Sequence, residues 1–145
     1  MDILGLPLHP LIVHAAVVLL PLAAFGALLI VLSQRARNRY GSLVVAGSVV
    51  AFATVLGARL TGEAFAGTTT GTGALGTHMF WGLAAPWPAG ALAVTTLLLV
   101  LAGRGRSRPL FITCAVLTGL AALASLAVIV LTGHSGATAV WGTGT

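Results

Sequence analysis

Four apolar stretches, at about 9–33, 42–61, 78–103 and 109–132, leave this chain little choice of environment. A bilayer core of roughly 30 Å is crossed by about 20 residues of α-helix, and each stretch is at least that long. Lipid offers no partner to backbone N–H and C=O groups, so each stretch reads as one helix with its hydrogen bonds closed internally. Residues are 58% apolar and 6% charged, and mean hydropathy is +1.08, outside the range of water-soluble domains. The fold class expected is all-α: residues 1–145 as a single integral membrane domain, a four-transmembrane-helix up-down bundle. The first run is too long for a signal-peptide core and follows Asp2 with no basic residue, so it is expected to stay in the protein.

A net charge of +5 and a pI near 11.6 would suggest nucleic acid for a soluble chain, but the placement of the charge argues otherwise. Six of the seven basic residues fall in two short segments, Arg35, Arg37 and Arg39, then Arg104, Arg106 and Arg108. That is the positive-inside pattern: arginine-rich loops cytoplasmic, both termini outside, the lipid bilayer as partner and no nucleic acid. Lysine is absent, which excludes a retinal Schiff base. The single cysteine, Cys114, lies inside span four and reads as a small packing residue.

Two spans are expected to be kinked. Pro21 interrupts the hydrogen bonding of span one, and Pro86-Trp87-Pro88 removes two helical bonds from span three, leaving the carbonyls of Gly82 and Ala84 without their usual donors. Irregular backbone at that depth is tolerated only against protein or a cavity. Span two carries small residues at Gly41, Ala46, Gly47, Ala53 and Gly57, which permit close helix contact. Residues 62–77 read as an outer Gly/Thr loop. Its Gly71-Thr72-Gly73-Ala74-Leu75-Gly76 matches GxGxxG formally, but no strand precedes it, so it is no nucleotide motif. Trp81, Trp87 and Trp141 are placed like an outer aromatic belt.

The polar residues segregate by depth. His9 precedes Arg35 by 26 residues, His78 precedes Arg104 by 26, and His134 follows Arg108 by 26, so three histidines share one outer level. His14 lies about 7–8 Å deeper, and Arg59, followed by Glu63 at i+4, is expected near the depth of His14. The inner half contains no histidine. His9, Arg35, Arg37 and Arg39 recur 69 positions later as His78, Arg104, Arg106 and Arg108, a hint of two parallel helical hairpins.

This clustering of His14, His78, His134 and Arg59, with His9 and Glu63, points to a cofactor. Spans one and three lie diagonally opposite in an up-down bundle, so two imidazoles could clamp haem b between them. His14 and His78 are the first axial pair and His134 the substitute, with Arg59 available to neutralise a propionate. His9 is the weakest member, because Pro10 suggests a helix start and five residues from His14 turn it about 140° away. Zn or Cu held by His14, His78, His134, His9 and Glu63 is the alternative. A third reading needs no cofactor: an accessory subunit of a membrane complex. Hydrolysis has no support, since Ser135 lacks an acid partner, so the chain reads as an electron-transfer or accessory subunit rather than a free-standing enzyme.

The opening Pro7-Leu8-His9-Pro10-Leu11-Ile12-Val13-His14, the Thr61-Gly62-Glu63 after span two, His78 at span three and the closing Gly133-His134-Ser135-Gly136 carry a resemblance over nearly the whole chain. It resembles a family of small four-span bacterial membrane proteins known as a domain of unknown function. The resemblance implies four helices in the bacterial plasma membrane. It also implies cytochrome-like contexts, favouring haem and a respiratory complex or cytochrome partner, with room for an oligomer. Ala15 departs from the aromatic that relatives often show after the second histidine, which bears on the pocket lining.

Overall fold

The computed structural model describes residues 2–3, 6–66 and 74–141. Five helices follow a short antiparallel pair of strands, β1 (Asp2–Ile3) and β2 (Leu6–Pro7), in which Asp2 faces Pro7 and Ile3 faces Leu6. The helices are α1 (Leu8–Leu32), α2 (Gln34–Ala66), α3 (Ala74–Ala84), α4 (Pro86–Ala102) and α5 (Arg108–Trp141). Four stretches are long and apolar enough to cross a membrane: His9–Leu32, Gln34–Glu63, Gly76–Ala102 and Arg108–Thr138. The third combines α3 and α4 across Ala85. That residue keeps right-handed helical angles (φ −56°, ψ −36°), so the prolines confine the irregularity to one residue. The Ala89 N–H reaches the Ala85 carbonyl at 3.4 Å, a stretched bond beside the residue where Pro86 and Pro88 lack donors. Pro21 sits inside unbroken α1.

The spans form a closed ring. α1 packs on α2 and α5, α4 packs on the same two, and α1 and α4 face each other diagonally. α3 leans chiefly on α5. Both ends of the described chain lie at the histidine end, and the arginine segments lie at the other.

Two boundaries differ from the sequence reading. The first arginine segment is no loop: only Ser33 separates α1 from α2, and Arg35, Arg37 and Arg39 occupy the first turns of α2. Arg, Ala and Gln are good helix formers, and the Ser33 hydroxyl accepts the Ala36 N–H at 3.2 Å, satisfying one orphan donor. Likewise Gly133-His134-Ser135-Gly136 belongs to α5, which runs on to Trp141. Of the outer loop, 62–66 is helical, α3 begins at Ala74, and Gly71, Thr72 and Gly73 lie outside the described residues.

The core is selected by size rather than by polarity. Ala16, Leu20, Ala23, Ala24 and Ala27 of α1 pack with Ala51 and Val55, Ala89 and Leu92, and Ala121 and Ala122, while Leu22, Phe25, Leu29 and Leu32 of the same helix point outward. Lipid tails are as apolar as leucine, so close backbone approach, not removal from water, decides which face turns in. A second cluster around Ile30, Ala36, Leu99, Val100 and Cys114 closes the arginine end, and Cys114 is buried there as a packing residue.

Candidate functional site

The inward face of α1 repeats as residues 16, 20, 23, 27 and 30, a seam spaced in threes and fours. Stepping back seven residues from Ala16 gives His9, which therefore points toward the bundle, and His14 falls off the seam. His9 is half-buried and His14 exposed. The His14 Nδ1–H donates to the Pro10 carbonyl of its own turn at 2.6 Å, an arrangement needing no neighbour.

His9 seats on α2. Its Nδ1 lies 2.9 Å from Thr61 Oγ1. The Thr61 hydroxyl donates its own hydrogen to the Gly57 carbonyl at 2.8 Å, so the imidazole donates to Thr61. The Ala58 carbonyl is a further partner of the His9 ring. Gly62 makes room: a Cβ there would come within 3.0 Å of His9 Cε1.

His78 repeats the arrangement on the other hairpin. Its Nδ1 lies 3.0 Å from the Thr132 carbonyl, which can only accept, so Nδ1 carries the hydrogen and Nε2 is the basic nitrogen of the neutral ring. A Cβ on Gly136 would come within 3.0 Å of His78 Nδ1. Ser135, buried between these positions, donates to the same Thr132 carbonyl at 3.0 Å. Each hairpin thus builds one unit from a histidine on its first span and a threonine and glycine on its second. The two units lie at the same end of the bundle, His9 and His78 near enough for the charge of one to act on the other.

Of the sequence candidates, His9 and His78 are the two whose rings seat on a neighbouring helix, His9 on α2 and His78 on α5. His134 lies between Thr132 and Gly136 in sequence but points away from them and is exposed. Arg59 and Glu63 pair with each other, Nε to Oε1 at 2.9 Å, with side chains 32% and 46% exposed. Contacts of Gly62 with His9 and of Gly57 with Ile12 put Arg59 level with residues 10–11, about one turn outside the His14 level expected for it. Among the described residues, no three His, Cys, Asp or Glu side chains converge into a group that could hold a metal ion.

Thr61, Gly62 and Gly136 were legible only as motif letters, and Thr132 only as the end of span four; in the structure they seat imidazoles. Arg37, read as topological charge alone, is also a structural staple at the arginine end. Its Nη1 donates to the Ile30 carbonyl at 2.8 Å, and its guanidinium lies 4.5 Å above the Phe111 ring.

These features define a four-span membrane bundle with two imidazoles seated between helices at one end. Residues 5–145 match the family described as predicted membrane protein (DUF2231), and the chain belongs to that family. Comparison with curated proteins and with solved structures finds no significant match.

Proposed function

We propose that the protein binds one haem b at the histidine end and serves electron transfer, as a subunit in the bacterial plasma membrane with its arginine segments cytoplasmic. The observation that supports this reading is the matched seating of His9 and His78, two imidazoles from spans one and three at one end of the bundle, each placed against a threonine and a glycine of its own hairpin. A ligating histidine typically donates its other ring N–H to a carbonyl or similar oxygen, which fixes ring orientation and tautomer. The Nδ1 contacts of His9 and His78 have that form. A bare Zn or Cu ion needs three or four protein donors, whereas the porphyrin supplies four of its own and asks for two. Two imidazoles at one end, without a third or fourth protein donor beside them among the described residues, therefore suit haem better than a naked ion.

The haem would supply a one-electron couple, and two axial histidines would leave no open iron position for ligand chemistry. Thr61 and Thr132 orient the imidazoles, and Gly62 and Gly136 let the rings lie against the helices. Arg59 can meet a propionate only by sharing or leaving Glu63. With both imidazoles at one end, passage of electrons across the bilayer requires a quinone, a second centre or a partner subunit.

The test is an absorption spectrum of the full chain, purified gently after expression with ample haem, oxidised and then dithionite-reduced. Sharp α and β bands in the wild type, lost in His9→Ala and His78→Ala but kept in His14→Ala and His134→Ala, are the expected result. A full haem complement in the His9→Ala/His78→Ala double variant would overturn the assignment. A featureless wild-type spectrum would overturn the haem itself and leave elemental analysis to decide between a metal ion and a cofactor-free accessory subunit.

A further inference from the structure

At the arginine end, the early turns of α2 and the end of α4 enclose a hollow of about 170 Å³ lined by Arg37, Asn38, Ser42, Val100, Gly103 and Arg104. Two small residues create it. Gly41 lets α2 approach α4 so closely that a Cβ there would come within 3.1 Å of Val100 Cγ2, and a Cβ on Gly103 would meet Arg37 Nε at 3.0 Å. Arg37 is held in place by the Ile30 carbonyl and the Phe111 ring, so its guanidinium is positioned before any ligand arrives. Asn38, next to Arg37, and Ser42, about one turn further along α2, add neutral donors to the wall.

Among the described residues, no Asp or Glu is placed at the arginine end. Its two acidic residues are Asp2 and Glu63, both belonging to the histidine end, and Glu63 is engaged by Arg59. Membrane topology requires positive charge near this end but not its convergence on a concavity. One guanidinium held in place, a second on an exposed rim residue and flanking hydroxyl and amide donors match the oxygens of phosphate, and basic pockets between membrane helices take phosphate headgroups.

We propose that this hollow binds a phosphate group through Arg37 and Arg104, assisted by Asn38 and Ser42. An anionic phospholipid headgroup and a soluble phosphate share that chemistry. The proposal is independent of the imidazole pair.

The test uses native mass spectrometry of the full chain in mild detergent, titrated with phosphatidylglycerol, phosphatidylcholine or inorganic phosphate. Arg104→Gln and Arg106→Gln each remove one charge from the same segment, but only Arg104 lines the hollow. Expected is a saturable site preferring phosphatidylglycerol over phosphatidylcholine, weakened about tenfold by Arg104→Gln and less than about twofold by Arg106→Gln. Ser42→Leu, which fills the hollow at constant charge, is expected to match Arg104→Gln. Saturable binding of inorganic phosphate with the same dependence on Arg104 supports the site and identifies a soluble anion as the source; binding of phosphatidylglycerol alone identifies lipid. Equal weakening by Arg104→Gln and Arg106→Gln, or no preference for either anion over phosphatidylcholine, would overturn the proposal.

Discussion

Gly133 and Gly136 lie about one turn apart on α5 and offer a controlled measurement of how tightly His78 is seated. Replacing a helix-interior glycine by alanine gains about 1 kcal/mol in propensity at either position. At Gly133 the added methyl meets nothing within 4 Å, so the gain is realised in full. At Gly136 it comes within 3.0 Å of His78 Nδ1 and 3.1 Å of Cε1, well inside an ordinary contact of about 3.5–4.0 Å. The ring cannot retreat without stretching its 3.0 Å hydrogen bond to the Thr132 carbonyl, a bond worth about 1 kcal/mol net. Gly133→Ala is therefore expected to stabilise by about 1 kcal/mol, and Gly136→Ala to leave stability unchanged or slightly reduced. In a His78→Ala background the obstacle is gone and both substitutions should stabilise alike, giving a Gly136–His78 coupling of about 1 kcal/mol in a double-mutant cycle. Reversible unfolding in mixed micelles reads all of these differences. If Gly136→Ala stabilises the wild type as much as Gly133→Ala does, the glycine is not there for the imidazole and the account of the GH-x-G motif is wrong.

Other expectations follow from single contacts. Arg37→Lys keeps the charge, and hence the topology, but loses the bond to Ile30 and the placement over Phe111; it should cost about 1–3 kcal/mol in the same unfolding assay, whereas Arg35→Lys should cost almost nothing. Thr96 Oγ1 and Ser125 Oγ are buried without a hydrogen-bond partner among the described residues, so Thr96→Val and Ser125→Ala should each stabilise by about 1 kcal/mol; a loss of similar size would show that these hydroxyls have partners. The Arg59–Glu63 pair is partly exposed and joins successive turns of one helix, so Glu63→Gln should change unfolding by less than about 0.5 kcal/mol, and a larger effect would mean that Glu63 has a second partner.

The number of spans and the level of His78 were legible because both follow from length, whereas Arg59 lies about one turn from the level that counting assigned it. Each helical residue advances 1.5 Å, so counting from the arginines gave depth directly. The level assigned to His78 relative to span four is the one at which it meets Thr132 and Gly136. Helix boundaries were less legible: the first arginine run, read as a loop, opens the next helix instead, and the glycines after span four stay helical.

Direction around each helix was the part that sequence reading missed. In a soluble bundle the polar face announces itself, but here the residues facing lipid and those facing protein are both apolar, and only their size differs. Ala16, Ala23 and Ala27 mark the inward seam of α1, and extending that seam would have favoured His9 over His14; the proline beside His9 pointed the other way. The sequence by itself thus determined four spans, their order along the membrane normal, and the concentration of histidines at one end and arginines at the other. Only the packing of one helix against the next decided which imidazoles seat on a neighbouring helix and which face outward, because helix rotation is set by where two backbones can come close.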